Sequence, residues 1–249
     1  MSSLEVGSIV FFCVFGGALV GILLHSALPE RHLSGESKDA VKIGIGLIAT
    51  MTALVLGLLV STAKASYDTK HNELTQMSAD TLLLDRVLAN YGPETRTMRE
   101  LMRRAGAHSI EMIWPQNGQA PQLEPAAGGE VLYDMIEALS PKNDAQRGLQ
   151  TQALQLAIEI LKLRWLLFEQ SGSSISTPFL VVLVFWLTVI FMSFGLFAPH
   201  NTTVVATFLI CALSVSGAIF LIIELDRPFQ GLIQISSAPF RDAVERLGK

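Results

Sequence analysis

Four apolar stretches, each about 20 residues long, divide the chain as two, an insert of about a hundred residues, then two more. They run from Val6 to Leu28, Ile43 to Thr62, Phe179 to Ala198 and Val204 to Ile223, and no Asp, Glu, Lys or Arg falls within those limits. At about 1.5 Å rise per residue, each can cross a hydrocarbon core of about 30 Å as a helix. A single soluble core does not need four such runs. The pattern predicts an all-α, multi-pass membrane protein with four transmembrane helices.

Topology follows from charge. Four spans put both termini and the insert on one side, where Lys64, Lys70, Lys162, Arg164, Arg227 and Arg241 lie near membrane ends. On the other side, Arg31, Lys38 and Lys42 are offset by Glu30, Glu36 and Asp39, and the second loop, near Pro199, has no Lys or Arg. The positive-inside bias therefore predicts a cytoplasmic insert and cytoplasmic termini in the cell membrane. The first stretch carries Glu5 and no basic region ahead of it, which predicts a membrane helix rather than a signal peptide. Asn201-Thr202-Thr203 matches a glycosylation sequon, but so short a loop would hold an acceptor against the membrane, which reads as chance.

The expected organisation is 1–65 for the first two membrane helices, 66–177 for a helical cytoplasmic domain, 178–226 for the last two spans and 227–249 for an amphipathic tail. From Leu58 to Tyr91 there is neither glycine nor proline, so the second span can run on as one rod to about Asn90. Gly92-Pro93 stops it. A helix over Glu94–Ile113 follows, with Met98, Leu101, Met102 and Ala105 at helical spacing. Residues 115–129 read as a linker, Glu130–Leu139 as a short helix, and Ser140-Pro141 as the start of a long helix to Gln170 striped by Leu154, Leu161 and Trp165. Gly172-Ser-Ser breaks it, and Thr177-Pro178 suits a helix cap with proline at the first helical position. In the tail, Leu232, Ile233, Ile235, Phe240, Val244 and Leu247 are available to pack beneath the membrane helices.

The insert holds ten Lys/Arg against fourteen Asp/Glu, which accounts for the net charge of -4 and excludes a basic nucleic-acid face. Catalytic and cofactor motifs are missing: there is no HExxH, CxxC, phosphate loop, GxGxxG or GxSxG. His25, His32, His71, His108 and His200 are scattered without metal-ligand spacing, and Cys13 and Cys211 sit alone in apolar runs. No catalytic residue, metal or cofactor is expected.

Two stripes on the second span remain. Gly46, Thr50, Ala53, Gly57, Ser61 and Lys64 form a small, partly polar one ending in a cation, beside the apolar Leu47, Met51, Leu54 and Leu58. Small residues at that spacing either pack against a neighbouring helix or line a water-filled path. Gly17 and Gly21, with His25 one turn on, give the first span a packing face of the same kind. Glu224, Asp226 and Arg227 close the fourth span ahead of Pro228. One turn separates Glu224 from Arg227, so the cluster is either a local ion pair or, repeated around a symmetry axis, a charged ring.

Four segments carry a resemblance. They are GLIATMTALVLGLLVSTAKASYDTKHNEL in the second span, the arginine-rich helix ending at Trp114-Pro115, ISTPFLVVLVFWLTVIFMSFGLFAP at 175–199, and ELDRPFQGLIQIS from Glu224. Together they resemble the bacterial bestrophin-like family, named for its similarity to bestrophin channels. Bestrophins are pentameric ion channels whose second transmembrane helix lines an apolar neck. The resemblance implies a homo-oligomer, pentameric by analogy, with Met51, Leu54 and Leu58 as constriction candidates, lipid around it and inorganic ions as its cargo. The acidic insert leans toward cations and Lys64 toward anions, so selectivity stays open. Calcium-responsive bestrophins carry an acidic cluster after the last span; Glu224 and Asp226 alone fall short of the roughly six to eight oxygens a calcium cage needs. The neck here also lacks an aromatic residue. The sequence therefore supports an oligomeric ion channel, with a non-conducting membrane scaffold or sensor as the alternative.

Overall fold

The computed structural model describes residues 2–29, 35–115, 121, 128–170, 175–199 and 201–248, with the side chains of residues 36 and 37 excepted. Arg31, His32, His200, most of the 115–129 linker and the break at Gly172-Ser173-Ser174 lie outside them. The described residues are all-helical, 85% of them in helix. Among the described residues the α-helices are, in order, α1 (Ser3–Ala27), α2 (Gly35–Tyr91), α3 (Arg96–Ile113), α4 (Gly129–Glu137), α5 (Asp144–Glu169), α6 (Thr177–Phe197), α7 (Thr202–Asp226) and α8 (Ala238–Arg246). A 3-10 turn over Pro93–Thr95 stands between α2 and α3. Among the described residues, α1, α2, α6 and α7 are long and apolar enough to cross a membrane.

The second span is longer than its apolar run. Helix α2 has 57 residues, about 85 Å at helical rise, and begins eight positions before Ile43. It ends at Gly92, whose φ of 144° only glycine adopts easily; a Cβ there would stand 2.5 Å from Glu94 Oε2.

Two compact units divide the chain: Met1–Ser66 with Ser173–Asp226, and Tyr67–Gly172 with Arg227–Lys249. The first is built on a close helix crossing. Gly17 and Gly21 of α1 face α6, and a Cβ on Gly21 would collide with the Met192 carbonyl oxygen. From the other side, a Cβ on Gly195 would strike the Ala18 carbonyl. Thr188 turns its hydroxyl to its own helix, donating to Val184 O at 2.8 Å, which leaves its methyl against Gly17. His25 then bonds the end of α6, its Nδ1 2.7 Å from Leu196 O; a carbonyl only accepts, so that ring nitrogen donates. The small-residue face of α1 is thus an intrachain packing face, the membrane mode in which glycines admit a neighbouring backbone. Val10, Val14, Leu183, Leu187, Ala212 and Ile219 fill the remaining interior.

The second unit has a conventional apolar core. Leu74, Leu84 and Leu88 from α2 are 0–1% exposed, each contributing about 2 kcal/mol, and meet Met98, Met102, Ile136, Leu156 and Leu167. The α3 expectation holds in part: Met98 and Met102 are buried, while Leu101 and Ala105 are half-buried. On α5 the predicted stripe is rotated. Ala153, Leu156, Ala157 and Leu167 are buried instead, and Trp165 is exposed. The helix also starts at Asp144 rather than at Ser140-Pro141, because the Asn143 side chain caps it, accepting from Gln146 N at 2.8 Å. Gln146 Oε1 in turn accepts from Lys142 N at 2.8 Å, one residue ahead of the cap. Likewise α6 takes Ser176 as its N-cap, with Thr177 already helical and Pro178 in the first turn.

The tail does not behave as a separate segment. Phe240, Val244 and Leu247 join the second unit's core, and Gly106 of α3 lets Val244 approach, since a Cβ there would lie 2.6 Å from its Cγ2. Trp114 Nε1 donates to Ile235 O at 2.9 Å, and its ring stands edge-on to Phe229 at 6.0 Å. Leu232 of the expected apolar set is instead exposed. The sequon asparagine has a structural use: Asn201 Oδ1 accepts from Val204 N at 2.8 Å at the start of α7.

Candidate functional site

Helix α2 presents two unlike faces within the first unit. Ile45, Thr52 and Ala63 are buried, and Ile48, Ala49, Val55, Leu56 and Leu59 are partly so. Every member of both sequence stripes is on the other face. Gly46, Thr50, Ala53, Gly57, Ser61 and Lys64 are exposed, as are Leu47, Met51, Leu54 and Leu58. A Cβ added at Gly46 or Gly57 would meet nothing within 4 Å. Only 11% of the most apolar stretch of α2 is buried, against 28% for each of α1, α6 and α7. Unlike Gly17 and Gly21 of α1, Gly46 and Gly57 of α2 pack against no helix among the described residues.

The chemistry of this face is spare. Leu54 is 74% exposed and Leu47 65%. The Thr50 hydroxyl donates to Leu47 O at 2.8 Å, so it offers the outside only an acceptor oxygen. Lys64, at the end of the stripe, is not without a partner. At the exit of α7, Glu224 and Asp226 are buried and Arg227 is half-buried, and none of the three lacks a partner. Burial of both carboxylates removes them from any exposed position within the single chain. Among the described residues, no group of three or more His, Cys, Asp or Glu could hold a metal ion. Cys13 and Cys211 are free and exposed on α1 and α7.

The second unit contains a polar anchor that spacing alone does not reveal. Asp85, 1% exposed, accepts from Arg99 Nε at 2.7 Å and Nη2 at 2.9 Å. Its oxygens also accept from Gly248 N at 3.3 and 3.4 Å, so one carboxylate ties α2, α3 and the chain's end. Its pairing raises the Arg99 pKa above the ordinary guanidinium value, the hydrogen bond to Asp85 outweighing partial burial. Beside it, the fully buried Thr95 hydroxyl donates to Leu88 O at 2.6 Å. The sequence signal was slight: fourteen positions separate Asp85 from Arg99, a distance no local rule pairs.

Comparison with family models matches the Bestrophin-like domain over residues 12–240. The chain belongs to the bestrophin-like family. The fold agrees. Two crystal structures of a bacterial bestrophin homologue from Klebsiella pneumoniae, each carrying one substitution, are similar at TM-scores of 0.68 and 0.66. Both are 13% identical in sequence, and each alignment covers 95% of this chain and 96% of the other. No curated protein matches. This bestrophin-like chain therefore keeps the fold of its relatives while sharing few of their side chains, and its apolar helices make it a membrane protein.

Proposed function

We propose that this bestrophin-like chain is one subunit of a homo-oligomeric ion channel of the cytoplasmic membrane. Ions pass passively along a central axis lined by the uncovered face of α2, with Met51, Leu54 and Leu58 as the apolar constriction and Lys64 at its mouth. The number of copies taken from the family resemblance is five. The termini and residues 66–177 lie on the cytoplasmic side, by the charge bias of the loops. Helix α2 carries the reading: a membrane helix whose small and apolar stripes both find no cover among the described residues of its own chain requires lipid, a second copy or a pore. Glycine and threonine at that spacing are poorly used against lipid tails alone, and passive conduction needs no catalytic group.

Current across a planar bilayer holding the purified protein under an ionic gradient tests it. The expected result is a current whose reversal potential follows the gradient, shifted toward cations by Lys64→Glu and enlarged by Leu54→Ala. Silence from a folded oligomer under voltage, pH and ligand stimuli would favour the alternative, a non-conducting scaffold or sensor whose helical insert binds a partner.

A further inference from the structure

The second unit holds a cavity that the conduction reading does not use. It occupies about 120 Å³ among α2, α3, α4, α5 and α8. That is close to the roughly 150 Å³ of an engineered apolar cavity that stays dry and takes up benzene. Leu84, Leu132 and Phe240 stand in its wall. Met77 of α2 with Met102 and Met112 of α3 add three flexible thioethers, a side chain that adapts to a guest's outline and makes favourable contacts with aromatic rings. Ala105 and Ala157 line it with no more than a methyl each.

The lining offers a guest no unmet charge or hydrogen bond. The Thr81 and Ser109 hydroxyls donate to their own helices, to Met77 O at 2.7 Å and Ala105 O at 2.9 Å. Arg164 already has a partner, and His108 is exposed to water. Among the described residues, the buried side-chain atoms without a partner belong to Glu73, Asp80 and Tyr91, none of which lines the cavity. A charged guest would therefore lose its hydration here without replacement. An uncharged apolar one gains burial and dispersion, and the thioethers favour a ring over an aliphatic body. We propose that this cavity binds a small uncharged aromatic molecule of about the size of benzene. The site stands whether or not the chain conducts.

NMR of the purified full chain in nanodiscs, with isotope-labelled methionine methyls and benzene as the probe, decides it. A bound ring shifts the methyls beside it, so the Met77, Met102 and Met112 resonances should move together and saturate. Met192, on the membrane span α6, is the control for benzene dissolved in lipid and should show no saturable shift. Benzoate, the same ring carrying a charge, should move none of the three where benzene saturates them. Ala157→Leu, which fills the cavity from α5, and Ala105→Met, which fills it from the half-buried part of α3, should each abolish the saturable shift. Both variants should elute as wild type, with the Met192 resonance in place. The proposal is overturned if the three methyls show no saturable shift with benzene, or move only in step with Met192. Saturable shifts that survive in both filled variants, or that benzoate reproduces as tightly as benzene, overturn it as well.

Discussion

Arg99 holds Asp85 through two parallel hydrogen bonds, Nε to Oδ1 at 2.7 Å and Nη2 to Oδ2 at 2.9 Å, where the chain turns from α2 into α3. With Gly248 N on the same carboxylate, this pair joins three parts of the second unit. Asp85→Ala leaves the guanidinium without its partner and is expected to cost about 3 kcal/mol or more. Denaturant unfolding of the purified protein measures this. Glu100→Ala, which removes only exposed pairs with Arg103 and Arg104, should leave the midpoint almost unchanged.

The α1–α6 crossing makes a sharper prediction about two glycines on one helix. Gly21→Ala drives a methyl into the Met192 carbonyl, whereas Gly16→Ala meets nothing within 4 Å. The first should lose about 2–3 kcal/mol, visible as a lower melting temperature and less monodisperse protein after extraction. The second should be neutral or slightly stabilising, because alanine is the better helix former. Equal behaviour of the two would contradict the crossing.

The uncovered face of α2 can be tested without any current. With Cys13 and Cys211 replaced by serine, Leu54→Cys should form cross-linked dimers in native membranes under a short bis-maleimide. Ala63→Cys, fully buried on the opposite side, should not. If Leu54→Cys cross-links no more than Ala63→Cys, the face lies against lipid and the axial role of α2 fails.

Acid should loosen a smaller contact first. Lys142 Nζ donates to Glu94 Oε1 at 2.8 Å across the start of α5, and this bond lowers the Glu94 pKa below the ordinary carboxylate value. A depressed folded-state pKa means the stabilisation is complete above the unfolded value and fades as pH falls through the folded one. The wild type should therefore lose a small increment of melting temperature below about pH 4.5. Lys142→Gln should be slightly less stable at neutral pH and lack that increment. Parallel melting curves across the acid range would expose the idea as wrong.

Much of this architecture was legible before any coordinates. Charge-free runs of membrane length announce themselves because nothing in hydrocarbon can hydrate a charge or a free backbone group. The long reach of α2 was visible in the missing Gly and Pro between Leu58 and Tyr91, and its end in Gly92-Pro93. Boundaries slipped where a side chain decided them: Asn143 caps α5 three residues beyond the expected start. The apolar stripe of α5 was misread because leucines occur all round that helix, and spacing does not say which of them a partner covers.

Two glycine-bearing stripes that look alike in sequence show where local pattern ends. Both put small residues about one turn apart, yet Gly17 and Gly21 of α1 are closed against α6 while Gly46 and Gly57 of α2 meet nothing within 4 Å among the described residues. Composition and spacing alone determined the class of protein: helical, four times membrane-crossing, without the motifs of an enzyme. Tertiary structure alone decided which small face is filled, that the tail belongs to the helical unit through Trp114 and Val244, and that Asp85 meets Arg99. The reason is physical. Hydrophobic length and helix propensity are sums over neighbours in the chain, whereas a buried ion pair or a glycine contact depends on two surfaces meeting, which no single helix specifies.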